Sequence, residues 1–225
     1  MGKKELLKRY IIFAFGLVLN SFGVAFITNA DLGTSPIAAI PYSLSMIIPV
    51  LSLGTWVIIF NIALIAIQFA IQKREANKIQ LCLEVIIAVF FGYGVDLSML
   101  CLQAFHPTTY ILKLCSLLIG CCIIAFGAYL EVIADVVMLP GDAFVRAIAK
   151  AVKREYGGVR IISDISMSVV AGILCLIFLH QLSGVREGTI ISALLVGNLV
   201  KIFSRLFARV TNHFLPAKEQ DPNVL

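Results

Sequence analysis

The chain has 225 residues, 60% of them apolar and 14% charged, with a mean hydropathy of +0.99 and a net charge of +5. A soluble domain carries about a quarter charged and about half apolar residues. The composition therefore excludes a separate soluble catalytic domain, a long disordered tail and a nucleic-acid-binding module, each of which needs a long polar segment. It is sufficient for about six membrane-spanning helices of roughly 20 residues each.

In chain order, a basic N-terminal segment over 1–9 precedes an apolar run over 10–29. No small-residue cleavage site and polar mature domain follow it, so it reads as a first span rather than a signal peptide. Further apolar runs cover 54–72, 79–105, 110–130, 161–182 and 189–202, giving six spans. A shorter apolar stretch over 37–50 lies among Pro36, Pro41 and Pro49. It is too short and too rich in proline for an ordinary span, and is expected to be re-entrant or broken.

The basic residues set the orientation. Sixteen of the eighteen, in the groups Lys3 to Arg9, Lys73 to Lys78, Arg146 to Arg160 and Lys201 to Lys218, fall on one side if both termini are cytoplasmic; only Lys113 and Arg186 fall on the other. This is the positive-inside pattern. A seventh crossing at 37–50 would place the basic 73–78 loop outside, and is rejected on that ground.

The sequence matches itself at an offset of 104, where Phe22, Gly23, Ala30, Asp31 and Pro36 fall on Phe126, Gly127, Ala134, Asp135 and Pro140. After a one-residue gap the offset is 103, and Asn61, Glu84 and Gly94 fall on Asp164, Glu187 and Gly197. Each half, 10–105 and 110–209, then holds three spans and a short proline-initiated helix. A tail over 210–225 follows. Three crossings is an odd number, so the halves are expected to be inverted. The expected fold is all-α and polytopic, an inverted 3+3 repeat of a kind found in many secondary transporters.

Acids within or beside spans are costly unless they face a cavity, a partner or a transport path. Asp31, Asn61 and Glu187 are expected at the outer mouth; their matches Asp135, Asp164 and Glu84 are expected at the inner one. Helix capping or a headgroup position is the plainer reading of any single one. The segments Asp31-Leu32-Gly33-Thr34-Ser35-Pro36 and Met138-Leu139-Pro140-Gly141-Asp142 each end a span and start a short helix. Free N–H groups there, with Ser35 and Asp142 beside them, could hold a substrate group or simply be capped. The stretch 143–156 repeats Phe144, Ile148 and Val152 against Arg146, Lys150, Lys153 and Arg154, as expected of an amphipathic helix on anionic lipid. Arg186 and Glu187 form an ion pair, a gate or an interfacial anchor.

Six cysteines without metal-ligand spacing read as apolar fillers. The three scattered histidines, His106, His180 and His213, give no metal site. No enzymatic motif is found and no cofactor is expected.

Ala30 to Pro36, Leu139-Pro140-Gly141-Asp142 and Arg186-Glu187-Gly188-Thr189 with Gly197 resemble the YczE/YyaS/YitT family of bacterial inner-membrane proteins, closest to its short YczE-like branch. The resemblance implies a polytopic, transporter-like membrane protein. It brings no established activity or binding residue to this chain. The expected function is a small secondary transporter or permease, proton- or cation-coupled, for an unidentified small solute. Asp31, Glu84, Asp135, Asp164 and Glu187 are its candidate ion sites. The rival is a non-transporting membrane protein that binds a partner or lipid through the basic helix around Lys150. The expected partners are the lipid bilayer and the solute, with no nucleic acid; a homodimer is left open.

Overall fold

The computed structural model describes residues 3–73 and 77–207; the expected tail over 210–225 lies outside them. Eight helices, and no strand among the described residues, make up the fold. They are α1 (Lys3–Asn29), α2 (Pro36–Ile47), α3 (Leu53–Gln72), α4 (Lys78–Cys101), α5 (Tyr110–Ala134), α6 (Pro140–Val152), α7 (Tyr156–Leu179) and α8 (Glu187–Leu206). Six of these are long and apolar enough to cross a membrane, and α2 and α6 are not. The spans differ from the sequence-based ones mainly at their ends. Arg160, for instance, lies inside α7 rather than in the preceding loop.

Helix directions follow from which residues meet. In α1 and α5, Gly16 lies against Gly127 and Gly23 against Gly120, so the two helices are antiparallel. Ser21 meets Gly94, and Asn29 bonds the Leu102 carbonyl at 3.2 Å, so α4 runs parallel to α1. Gly54 meets Gly92 while Gln68 meets Glu84, so α3 runs against α4. The end of α1 and the start of α3 therefore share a face of the bundle, here called the far face; the near face is where α1 begins. The intervening α2 returns to the far face without crossing. Its 12 residues span about 18 Å, short of the roughly 30 Å hydrocarbon thickness.

The partners of the first four helices recur in the last four. α1 packs on α4 as α5 packs on α8; α2 packs on α3 and α7 as α6 packs on α7 and α3. The α1/α5 contact maps onto itself. At the offset of 104, Gly16 becomes Gly120 and Gly127 becomes Gly23, so one glycine pair is the image of the other. A Cβ on Gly16 would stand 2.9 Å from the Gly127 carbonyl oxygen, and one on Gly127 would stand 2.8 Å from that of Gly16. Small residues let spanning helices come this close, where van der Waals contact replaces the hydrophobic driving force that lipid does not supply. One relation fails to recur: α3 lies along α4, but α7 and α8 have no comparable interface.

Each end of this central pair is closed by a cation from its partner. Arg9, only 3% exposed, donates to the Ala134 carbonyl at 3.2 Å at the end of α5. Lys113, its match at the offset of 104, bonds Asp31 at 2.6 Å past the end of α1. Cations are favoured at helix C-termini, where carbonyls lack intrahelical donors. Lys113, an exception to the sequence's charge asymmetry, thus has a structural task. Asp31 and Asp135 also share a backbone conformation, with φ of 54° and 45°. Aspartate tolerates this left-handed turn better than most residues, and it redirects the chain inward.

Candidate functional site

Beyond Asp31 the chain turns through Gly33, with φ of 101°, to an extended Ser35, and α2 begins at Pro36. Beyond Asp135 it runs to Leu139, and α6 begins at Pro140. Proline at the first helical position removes an N–H that no helical carbonyl would have accepted. The two helices thus start inside the bundle and run outward to opposite faces. Their starts touch: a Cβ on Gly141 would collide with the Ile37 side chain, and these two residues are matched at the offset of 104. A side chain at Gly141 would have to push the tip of Ile37 aside. Pro41 has no N–H to offer the Ile37 carbonyl one turn before it, which leaves a backbone acceptor without its helical donor at the meeting point.

Ser35 sits at the start of α2, 7% exposed, and its hydroxyl neither caps the helix nor has any partner. Thr34 is tied down more firmly. Its N–H donates to Thr189 at 3.3 Å, its carbonyl accepts from Ser192 at 3.4 Å, and its hydroxyl meets Thr28 at 3.1 Å. Gly188 N–H donates to the Leu32 carbonyl at 2.8 Å. The start of α8 therefore clamps the inward-running segment.

One turn outward from the meeting point lies an apolar cavity of about 500 Å³. Ile40 and Phe144, matched residues of α2 and α6, line it, with Leu64 of α3 and its match Met167 of α7. Ser163, Ser166 and Arg154 supply the polar lining. Its lining is largely apolar with few polar groups, and Val152, Ile162 and Val170 on its rim are 46% to 66% exposed, so it opens at the surface of the bundle. A second cavity of about 390 Å³ opens on the far face, lined by Asn29, Asp31, Tyr42, His106 and Lys113 among others.

The residues singled out from sequence separate into several places. Asp31, Arg186 and Glu187 come together at the far face, with Arg186 3.8 Å from each carboxylate and its guanidinium donating to the Asp31 carbonyl at 3.0 Å. Asn61 does not join them; it bonds the Val57 carbonyl of its own helix at 3.0 Å. The expected inner trio does not form either. Asp135 caps α5 and is exposed. Asp164 and Asp142 are both held by Arg160 between α6 and α7, with the Tyr156 hydroxyl 3.2 Å from the guanidinium. Glu84 is 0% exposed and bonded by Gln68 at 3.4 Å and Gln80 at 2.9 Å. The expected amphipathic helix is α6, but it lies against α3 and α7 with Val145 and Ala149 buried, leaving Arg146 and Lys150 on its exposed face.

Sequence reasoning missed Arg160, which as a cation among basic neighbours looked like part of the orienting charge. It missed Gln68 and Gln80, whose neutral side chains carried no signal. It also gave no sign of the Asn20 to Glu131 bond, 3.3 Å long and buried at the central helix pair. At the offset of 104 that pair maps onto Ile124 and Ile27, which are buried and apolar. Glu131 thus has an apolar counterpart and Glu84 an exposed one, Glu187, whereas Asp164 of the Arg160 cluster has the buried Asn61.

Six spans, two internal helices that enter from opposite faces and a cavity where they meet define a multi-pass helical membrane protein in contact with lipid. The chain belongs to the family of unknown function DUF6198, which it matches over residues 7–205. It is similar to the uncharacterized protein YyaS of Bacillus subtilis (strain 168), with 24% identity over 208 residues, 92% of this chain and 96% of the relative. Both findings agree with the resemblance read from the motifs. No solved structure matches it.

Proposed function

We propose that the protein is a small secondary transporter or permease of the bacterial inner membrane, an inverted 3+3 repeat with both termini cytoplasmic. It carries a small, largely apolar solute and draws on a proton or cation gradient. The observation that carries this reading is the meeting of α2 and α6, start against start, beside a cavity lined by matched residues of both halves. Transporters with related halves place substrate near the midplane at such discontinuous helices, and alternating access is rocking of one half against the other. A cavity between the halves is remodelled by that motion. The reading involves no enzymatic step.

A panel of small amphipathic metabolites, tested by thermal shift on detergent-solubilised protein, identifies the ligand. A compound at 100 times its dissociation constant stabilises the folded state by about 2.7 kcal/mol. Flux of that compound is then followed in proteoliposomes with Leu64→Trp, which fills the cavity. Loss of flux in a folded Leu64→Trp protein supports the proposal. Absence of any ligand, or unchanged flux in the variant, overturns it in favour of a non-transporting role such as lipid or partner binding through the basic face of α6.

A further inference from the structure

We infer that Glu84 is the protein's proton-binding site, a neutral carboxylic acid held by Gln68 and Gln80, which releases its proton when α6 moves off α3. Glu84 and Gln68 are 0% and 1% exposed, and both are in the packed interface of α3 and α4. Two amide donors, Gln68 Nε2 and Gln80 Nε2, converge on one carboxylate oxygen, Oε1. The other oxygen, Oε2, has no partner, and neither has Gln68 Oε1. Two acceptors of the hydrogen-bonded Gln68 and Glu84 pair are thus buried without a donor, and a proton on the carboxyl adds a donor that an ionised carboxylate cannot supply. An unsatisfied buried polar group is costly, and a charged one more so.

Among the described residues no cation is paired with the group. α4 packs on α1, α3 and α6. The charged residues that these and α4 itself bring to the near face include Lys4, Glu5, Lys8 and Arg9 of α1, Lys73 at the end of α3, Lys78 of α4, and Arg146 and Lys150 of α6. None forms an ion pair with Glu84 among the described residues, and Arg9 is turned to the carbonyls ending α5. A bound metal cation fits less well. Hard cations take about six oxygen ligands, whereas the free acceptors here are two and the surrounding backbone is helical.

The site lies next to the proposed transport cavity. Leu64 lines that cavity beside Phe144 and Ile148 of α6, and Gln68 is one turn farther along the same buried face of α3, a helix on which α6 packs. Displacement of α6 would open Glu84 to water from the near face, and the proton would leave as hydronium. The matched position, Glu187, is exposed at the start of α8, so only the first half carries this site. As the coupling site of a transporter the inference rests on the reading above, but its test does not.

Infrared spectroscopy of the full chain in lipid, wild type minus Glu84→Gln, is expected to show a protonated-acid carbonyl band at pH 7, with or without sodium. A carboxylate band in its place overturns the inference. So does a protonated-acid band that sodium abolishes, which would mean a cation site. Glu84→Gln, which mimics the neutral acid, should keep the thermal midpoint of the wild type; a large fall means that the ionised form is the native one. In proteoliposomes the variant should lose accumulation driven by a proton gradient while retaining solute exchange. Retained accumulation overturns the coupling role. A protein that moves no solute but keeps the band loses the transporter reading and keeps the proton site.

Discussion

Gly127 stands in the narrowest part of the α1/α5 crossing, where an added Cβ would meet the Gly16 carbonyl at 2.8 Å and the Asn20 amide nitrogen at 2.9 Å. Backbone cannot yield as a side-chain tip can. Gly127→Leu should therefore lower stability by about 1–3 kcal/mol or more, the usual cost of overpacking, read as a fall in thermal midpoint in detergent. Gly197 on α8 has nothing within 4 Å of its missing Cβ. Gly197→Ala should be neutral or stabilising by up to about 1 kcal/mol, since alanine is the better helix former. Arg160 offers a second test at this scale. It serves Asp142 and Asp164 with side chains 19% to 32% exposed. Removing the partner of a fully buried pair costs about 3–5 kcal/mol; partial exposure reduces this to about 1–3 kcal/mol for Arg160→Met. Adding Asp142→Asn and Asp164→Asn to the same chain should recover most of the loss, because two facing carboxylates are then no longer left unpaired.

At the scale of the element, α2 and α6 were legible as interruptions: short, opened by proline and preceded by a turn-forming aspartate. Sequence gave their depth poorly, because hydropathy reports whether a segment is apolar and not how far it runs inward before the helix begins. What remained hidden was rotation about each helix axis. Asp142 and Asp164 were both candidates, but that they share Arg160 depends on which faces of α6 and α7 meet. Glu84 was visible as an acid inside a span; its enclosure by Gln68 depends on the register of α3 against α4. Matched positions also proved unequal, since Glu84 lies well inside α4 while Glu187 opens α8. The meeting of the short helices can be checked directly. In a chain with its six cysteines replaced, Ile37→Cys with Gly141→Cys should form a disulfide on mild oxidation, because the Ile37 side chain reaches the place a Cβ on Gly141 would take. Failure to cross-link would mean that the helix starts do not converge.

For the whole molecule, the directions of the helices make a topological prediction. Val50, 86% exposed, lies between α2 and α3 on the far face, and Arg154 lies between α6 and α7 on the near face. In intact bacterial cells, cysteine at Val50 should react with a membrane-impermeant thiol reagent, and cysteine at Arg154 only after permeabilisation. Reaction of both from outside would refute the fold's sidedness, and the reverse pattern would invert the orientation. The expected direction comes from the charge asymmetry of the sequence. The cross-bracing by Arg9 and Lys113 was not read, although the two are matched at the offset of 104, because unlike residue types gave no identity to notice.

That cross-bracing bears on how the chain is made. Arg9 enters the membrane region early in synthesis, but its carbonyl partners at Ile133 and Ala134 are more than a hundred residues away, and the glycine face of α1 finds α5 equally late. Until α5 arrives, the glycine face of α1 has no helix to pack on, and the α5 carbonyls that accept from Arg9 are not yet in place. The first half should be a poor survivor on its own: a chain ending after residue 105 should be cleared by membrane proteases much faster than the complete protein, as a pulse-chase measurement would show.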